Sequence, residues 1–309
     1  MSGSQLVFVN GMGRSGTSAL ARVLSLCGGE LPQPLLSTDE GNPHGYWEPL
    51  AALNLNDEFL RAQGSSWYDP TLRVQQGRSI GFSQRAEFVG QISSFLDACP
   101  KAATVVIKEP RIAALLDYWC EAARHVGLNP KFVIPVRHPD AVCASLMARN
   151  GTSRELSSAL WLKYNLLAER STRNYSRVFV EYPNLLSDWK KEMIRISGAL
   201  SIALVLSAES AVDAFLENGS QHQRHSGPTT EVFGEPWCSR VYAELSQAAM
   251  DRAPDTQVLD EVFTAFSLCS RSFEIAIDDF RTKYGPEASV TSNPRGTMSA
   301  PTEHVDPSE

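Results

Sequence analysis

Two short segments of the chain carry cationic and hydroxyl side chains in patterns that suit the binding of an anion. The first follows an apolar run at residues 6–9 and leads into a helical pattern, with the sequence Gly11-Met12-Gly13-Arg14-Ser15-Gly16-Thr17-Ser18. A strand that passes through a glycine loop into a helix start directs free backbone N–H groups and the positive end of the helix dipole at one point. The segment predicts a cradle for phosphate or a similar anion; the alternative is a plain glycine turn.

One missing residue separates this loop from the loop that binds nucleoside triphosphates. The Walker pattern places a lysine directly after its second glycine, but Thr17 occupies that position here. The cation lies inside the loop instead, at Arg14. Because the loop lacks the main side-chain cation for β- and γ-phosphates, it favours a different ligand. A nucleotide kinase or NTPase with a degenerate loop is the alternative.

The second segment combines an arginine with a serine eight residues later. Arg137 follows the apolar run at residues 131–136, Pro139 stands where a helix would begin, and Ser145 comes two helical turns on. A guanidinium matches phosphate oxygens at two points, and a serine on the same side of the helix adds a hydroxyl donor. The alternative is an arginine paired with an acid, beside an unrelated helical serine.

Together these segments resemble the donor-binding motifs of sulfotransferases that use 3′-phosphoadenosine 5′-phosphosulfate (PAPS). The Arg-Ser-Gly form of the first loop is more similar to the carbohydrate-type branch, and the resemblance extends over roughly residues 5–200. It implies that Arg137 and Ser145 hold the 3′-phosphate of PAPS and that no metal is required. It also implies that the 5′-phosphosulfate is held by the loop residues Gly13, Arg14, Ser15, Gly16, Thr17 and Ser18.

A glutamate after the loop is the candidate general base. The sequence Gly45-Tyr46-Trp47-Glu48 resembles a Gly-aromatic-aromatic-Glu segment of bacterial family members. A positioned carboxylate can take the proton of an acceptor hydroxyl as it attacks sulfur, so Glu48 is the expected base. His44, four residues earlier, is the alternative.

Lys108 and Arg111 resemble the Lys-Asp-Pro-Arg segment of the same bacterial group, with Glu109 in the place of the aspartate. Lys108 and Arg14 are expected to neutralise the transferring group, which is electrostatic work of the kind that dominates such reactions. The alternative for Lys108 is an ion pair with the neighbouring Glu109.

Three weaker signals in the sequence indicate further candidate site residues. Glu181 ends a predicted strand and is expected to have a supporting role. A late loop with His222, Arg224 and His225 could add to the nucleotide clamp. Flat aromatic faces on which a sugar could stack are offered by Trp47, Trp67 and Tyr68.

The composition indicates a globular protein that does not bind nucleic acid. The chain has 309 residues, 43% of them hydrophobic and 20% charged, with a formal net charge of −7, whereas nucleic-acid binders normally show a basic face. The six cysteines lack metal-ligand spacing and are expected to be buried free thiols in a reducing compartment. Neither a signal peptide nor a membrane-spanning run is recognisable, so we expect a soluble, cytoplasmic protein without stable membrane insertion. The resemblance to bacterial family members implies a bacterial protein.

Apolar runs alternating with amphipathic segments predict an α/β fold with a central parallel sheet flanked by helices. The predicted strands are residues 6–9, 104–107, 131–136 and 177–180. The predicted helices are residues 17–26, 50–62, 83–98, 112–126, 141–148, 153–173, 184–200, 236–250 and 257–280. Functional groups of such sheets gather at the carboxyl ends of the strands, where Arg14, Lys108, Arg137 and Glu181 fall.

The resemblance implies a sulfotransferase domain of P-loop NTPase-like architecture over residues 1–284, mostly helical from about residue 207. A disordered tail is predicted over residues 285–309. The late helices would pack on the sheet or cover the site, or form a homodimer contact. The predicted activity is metal-independent transfer of the sulfuryl group of PAPS to a hydroxyl of a carbohydrate, glycolipid or related small molecule. A non-catalytic sulfotransferase-like binding module is a further alternative.

Overall fold

The central sheet has four parallel strands in the order β2-β1-β3-β4. A computed structural model of the chain describes residues 4–39, 42, 44–76, 80–219, 225 and 227–284. The strands are β1 (Gln5–Val9), β2 (Thr104–Lys108), β3 (Pro130–Val136) and β4 (Arg177–Glu181). Each contains a continuous apolar run of at least three residues, as expected for a parallel sheet covered on both faces. The predicted α/β architecture with a helical C-terminal part is confirmed.

Twelve helices are present within the described ranges. The first six are α1 (Thr17–Leu26), α2 (Leu50–Ala62), α3 (Arg73–Gln76), α4 (Phe82–Asp97), α5 (Ile112–His125) and α6 (Pro139–Asn150). The other six are α7 (Arg154–Ser171), α8 (Tyr182–Ser187), α9 (Trp189–Leu200), α10 (Glu209–Gly219), α11 (Trp237–Ala249) and α12 (Thr256–Tyr284).

The helix predicted over residues 184–200 was wrong in one respect, because the structure divides it at Asp188. The backbone there leaves the helical region (φ −153°, ψ 76°), and the Asp188 side chain accepts a hydrogen bond from the backbone N–H of Lys191. Asp188 therefore caps a new helix, a role that aspartate fills well. Two helices were also missed: the short α3 within a predicted loop, and α10.

Alternate side chains of β1 enter two cores on opposite faces of the sheet. Leu6 and Phe8 belong to the larger core, which takes in α2, α4, α5, α7, α11 and α12. Val7 and Val9 belong to the smaller core with α1, α9 and α10. Five of the six cysteines are buried, as predicted, whereas Cys269 is exposed.

The strand order creates a crevice where the site residues lie. From β1 the chain continues to β2 on one side and later returns to β3 on the other side, so the loop after β1 faces a crevice between diverging connections, where ligands of open α/β sheets bind. Within the described residues, no helix is both long and apolar enough to span a bilayer. The predicted tail, residues 285–309, lies outside the described residues.

Candidate active site

The loop between β1 and α1 has the backbone of an anion cradle. Gly16 precedes α1 with a left-handed backbone (φ 91°), and its position provides no side-chain cap for the first N–H groups of the helix. A Cβ on Gly16 would lie 2.2 Å from Cδ2 of Tyr182, so only glycine fits. The Oγ of Ser15 is buried without a hydrogen-bond partner among the described residues. Uncapped N–H groups and an unsatisfied hydroxyl are donors that phosphate oxygens can satisfy.

The two sequence segments meet at Arg14. Its Nε donates a hydrogen bond of 2.9 Å to Oγ of Ser145, and its backbone carbonyl accepts one of 2.9 Å from Nη1 of Arg137. Arg137 also lies over the ring of Tyr182, with 5.0 Å from its guanidinium carbon to the ring centroid. Arg14 is therefore joined to Arg137, 123 positions further along the chain, and to Ser145, 131 positions further along. Together these residues form one cationic pocket.

The electrostatics of this pocket favour an anion. Burial, together with the nearby charges of Arg149 and Arg137, lowers the pKa of Arg14 to about 10. Burial also lowers the pKa of Arg137. A lowered arginine pKa means that the surroundings disfavour the positive charge. An anionic ligand at this position relieves that cost.

Lys108 pairs with Glu48 and not with its neighbour Glu109. Only 2% of Lys108 and 5% of Glu48 is exposed, and Nζ of Lys108 forms an ion pair with Oε1 of Glu48. The same ammonium group lies 3.3 Å from Oγ of Ser18 and 3.2 Å from the carbonyl oxygen of Tyr46. The alternative pair of Lys108 with Glu109 was wrong. The carboxylate and the ammonium face the start of α1 together.

Glu109 instead belongs to a buried network behind the ion pair. It accepts a hydrogen bond of 2.6 Å from Nδ2 of Asn56 and contacts Nη1 of Arg111. Burial raises the pKa of Glu109 to about 7. Arg111 also binds Asp57, and these two carboxylates raise the pKa of its guanidinium. The network fixes the backbone after β2, and with it Lys108.

Arg14, Glu48 and Lys108 line one cavity of about 250 Å³, whereas Arg137 and Ser145 are not among its lining residues. Its cationic, acidic and hydroxyl-bearing lining residues are Arg14, Thr17, Ser18, Tyr46, Glu48, Tyr68, Lys108, Arg111 and Arg149. Gly13 and Trp67 also line it, and a Cβ on Gly13 would lie 2.9 Å from the Trp67 ring. His44 is exposed and is not among the lining residues. The cavity thus brings Glu48, but not His44, to the anion loop.

Of the three aromatic residues proposed to face a sugar, two line the cavity and one does not. Trp67 and Tyr68 line it. Trp47 turns away: its backbone is left-handed (φ 57°), and its ring stacks under Arg22 at 4.4 Å and meets Phe215 of α10 at 6.4 Å. The predicted sugar-facing role of Trp47 was therefore wrong. Its ring anchors the segment that carries Glu48 against α1 and α10.

Glu181 does not join the other strand-end residues around the anion loop. Its Oε1 accepts a hydrogen bond of 2.6 Å from the Tyr242 hydroxyl and one of 3.3 Å from Ser246 Oγ, both from α11. Of the three residues proposed from the late loop, His225 is described. Its ring lies 5.3 Å from the ring of His138, the residue that follows Arg137 in the chain. His222 and Arg224 lie outside the described residues.

The sequence analysis missed Arg149, Tyr46 and Asn56. Arg149 stands four residues after Ser145, a spacing that places both on one face of α6, so a signal for it was present. The side chains of Tyr46 and Asn56 are positioned by contacts far along the chain, and their sequence context gives no such signal. Over the described parts of the chain, no group of three or more His, Cys, Asp or Glu residues is arranged to hold a metal ion.

Comparison with known proteins identifies the family. Residues 6–205 match the model of the sulfotransferase family, so the chain belongs to that family. No curated protein matches the chain. Among solved structures, the sulfotransferase domain of the Synechococcus PCC 7002 olefin synthase is similar, with 17% identity, 86% of this chain and 96% of that chain covered, and a TM-score of 0.42. The sulfotransferase domain from the curacin biosynthetic pathway gives 14% identity, 79% and 98% coverage and a TM-score of 0.44.

Proposed function

We propose that the protein transfers the sulfuryl group of PAPS to a hydroxyl of a carbohydrate, glycolipid or related small molecule. The observation that carries this proposal is the junction at Arg14, which binds Ser145 through its side chain and Arg137 through its carbonyl. PAPS is anionic at both its 5′-phosphosulfate and its 3′-phosphate. A pocket in which an anion loop adjoins a second arginine and a serine suits such a ligand better than a single phosphate.

Some residues of the pocket would bind the 5′-phosphosulfate of PAPS and others its 3′-phosphate. We call both groups of residues together the donor side. The loop residues from Gly13 to Ser18 would hold the 5′-phosphosulfate through backbone N–H groups and the Ser15 hydroxyl. Arg137 and Ser145 would hold the 3′-phosphate. When bound, PAPS supplies the activated sulfuryl group and a bisphosphate leaving group. Positioning and charge neutralisation are then the main tasks of the protein, as in phosphoryl transfer.

The Glu48–Lys108 ion pair can couple proton removal to stabilisation of the leaving group. The acceptor oxygen forms a bond to sulfur, the bond between sulfur and the 5′-phosphate oxygen breaks, and the acceptor proton passes to Glu48. Protonation removes the negative charge of Glu48, so the Lys108 ammonium beside it loses its counter-charge. Its positive charge becomes fully available as negative charge develops on the departing phosphate oxygen.

The aromatic part of the cavity wall, which we call the acceptor side, supports a sugar-like acceptor. Trp67 and Tyr68 present aromatic surfaces there, close to Arg111, and flat rings with polar edges suit ligands that have one apolar face and several hydroxyls. The buried free thiols fit a reducing compartment. We therefore propose that the protein acts in the bacterial cytoplasm, on a small-molecule or glycan precursor.

Calorimetric titration with adenosine 3′,5′-bisphosphate, without metal, tests the donor assignment. We expect this ligand to bind more tightly than ATP with Mg²⁺. Arg137→Ala should weaken its binding by at least about 1.5 kcal/mol, since the variant loses a charge-assisted contact. Arg252→Ala is a matched control, because Arg252 is exposed and binds only Gln247 among the described contacts.

Two results would redirect the proposal. Tighter binding of ATP with Mg²⁺ than of the bisphosphate favours the kinase or NTPase alternative. Normal bisphosphate binding without transfer to any member of a broad panel of glycosides, glycolipids and alcohols favours a non-catalytic module.

A further inference from the structure

Arg149 is a cation on the cavity wall with no part in the donor motifs. It lies in α6, four residues after Ser145, so both side chains project from one face of the helix. Ser145 accepts the Nε hydrogen bond of Arg14, and Arg149 lines the same cavity as Arg14, Glu48 and Lys108. The helix that supplies the serine therefore supplies a second guanidinium one turn further along.

The guanidinium of Arg149 is held in place by Tyr46. It lies 5.0 Å from the centroid of the Tyr46 ring, and its Nη2 donates to the Tyr46 hydroxyl. That hydroxyl in turn donates a hydrogen bond of 2.8 Å to Oδ2 of Asp39, which is 3.7 Å from Nη2 of Arg149. The Tyr46 hydroxyl thus bridges the charge of Arg149 and its counter-charge.

Tyr46 is itself tied to the reacting end of the cavity. Its carbonyl oxygen accepts hydrogen bonds from Nζ of Lys108 and Oγ of Ser18, each at 3.2 Å. Arg149 and Lys108 are therefore linked through Tyr46: Arg149 binds its hydroxyl group and Lys108 binds its backbone carbonyl. Arg149 also lies close enough to Arg14 for their charges to interact. The three cations Arg14, Lys108 and Arg149 all line the same cavity, and Lys108 contacts Ser18 at the start of α1.

We propose that Arg149 binds the sulfuryl oxygens of the donor and that Tyr46 and Asp39 position its guanidinium for this contact. The inference rests on the proposed function. A sulfuryl group that projects from the anion loop toward Glu48 enters the space between these cations. A guanidinium can contact two of its oxygens at once, which the point charge of Lys108 cannot do. The 3′-phosphate is left to Arg137 and Ser145.

A comparison of two ligands tests this assignment. Adenosine 3′,5′-bisphosphate lacks the sulfuryl group, whereas intact PAPS carries it. In calorimetric titrations without acceptor, Arg149→Ala should weaken PAPS binding about ten-fold or more and change bisphosphate binding by less than about two-fold. Arg149→Lys should recover part of the lost PAPS affinity, since it restores the charge without the two-point geometry. Arg137→Ala should weaken both ligands.

The outcomes separate the two proposals. If Arg149→Ala weakens both ligands equally, or neither, the assignment of Arg149 to the sulfuryl oxygens is wrong. If the wild-type protein binds neither PAPS nor the bisphosphate, the proposed function itself fails. Arg252→Ala serves again as the surface control and should match the wild type with both ligands. Anion-exchange analysis of PAPS after each titration verifies that the sulfuryl group is intact.

Discussion

Arg14 and Arg137 on the donor side follow the ends of the adjacent strands β1 and β3, whereas Trp67 and Tyr68 on the acceptor side lie in a segment without regular structure between α2 and α3. The donor side is positioned by the sheet and by the two helices that start from it. The acceptor side is positioned by single contacts from distant helices: the Tyr164 hydroxyl donates to the Trp67 carbonyl at 3.1 Å, and Lys163 donates to the Asp69 carbonyl at 2.7 Å.

This difference indicates that the acceptor side can be substituted with less damage to the fold than the donor side. A strand end cannot move without disturbing the sheet, so the donor side is held by the core. The loop of residues 65–72 depends on a few polar contacts with α7 and α12, such as the 2.7 Å hydrogen bond from Leu72 N–H to Ser270 Oγ. We therefore expect substitutions on the two sides to separate donor binding from acceptor binding.

Glu48 is assigned to neither side but to the proton transfer, and its substitution should have the largest effect. Glu48→Gln keeps the shape of the side chain but removes the base, so kcat should fall at least about 100-fold while bisphosphate affinity stays within about two-fold. Steady-state sulfuryl transfer and calorimetry measure the two effects. His44→Ala should leave kcat within about two-fold. Loss of kcat in His44→Ala, with activity retained in Glu48→Gln, would reverse the assignment of the base.

Gly16→Ala should disable the donor side alone. The new Cβ would lie 2.2 Å from the Tyr182 ring on a backbone with φ 91°. We expect bisphosphate affinity to fall about ten-fold or more and the free energy of unfolding to fall by about 1–3 kcal/mol. Gly90→Ala in α4 is the control: nothing lies within 4 Å of its new Cβ, so it should raise stability by up to about 1 kcal/mol. Wild-type bisphosphate affinity in Gly16→Ala would contradict the proposed role of the loop.

Tyr164→Phe should weaken the acceptor side alone. The variant removes the hydrogen bond to the Trp67 carbonyl, so KM for the acceptor should rise a few-fold and the free energy of unfolding should fall by about 1 kcal/mol. Bisphosphate affinity should not change. Tyr242→Phe removes a similar hydroxyl from the Glu181 contact, away from Trp67, and should affect stability but not acceptor KM. An unchanged acceptor KM in Tyr164→Phe would show that the position of Trp67 does not affect acceptor binding.

Lys163, which donates a hydrogen bond to the Asp69 carbonyl in the acceptor-side loop, should make the free energy of unfolding dependent on pH. Only 1% of Lys163 is exposed, and burial lowers its pKa to about 8. Between about pH 8 and 10.5 the unfolded chain binds more protons at this residue than the folded chain, so stability rises with pH. Relative to Lys163→Met, the wild type should gain about 1 kcal/mol of unfolding free energy from pH 7 to pH 9. Chemical denaturation of both proteins at the two pH values measures this difference; parallel behaviour would show that Lys163 titrates normally.

The sequence predicted that Arg14, Arg137 and Ser145 lie together beyond the strand ends, because the signals for these residues are local. The glycine spacing around Arg14 and the eight-residue interval from Arg137 to Ser145 each lie within one strand–loop–helix unit. The sheet then brings the two units together by its strand order. The four strands and most helix bounds were also predicted, since their apolar patterns are continuous.

The surroundings of Glu48 were predicted less well because long-range contacts determine them. The partner of Lys108 is Glu48, 60 residues away, and not the adjacent Glu109. The direction of Trp47 depends on Phe215 of α10, a helix that was itself missed. The sequence favoured Glu48 over His44 as the base, and the structure adds that Glu48 is buried at the cavity whereas His44 is exposed. The domain bounds, the tail and a homodimer stay predictions.

The most direct test of the account is the incubation of the protein with PAPS, radiolabelled in its sulfuryl group, and a panel of hydroxylated acceptors. Label transfer and release of adenosine 3′,5′-bisphosphate would be measured together. We expect equal amounts of labelled product and bisphosphate with at least one sugar-like acceptor, without added metal, and at least about 100-fold slower transfer by Glu48→Gln. Turnover of ATP with Mg²⁺ while PAPS is left intact would contradict the account.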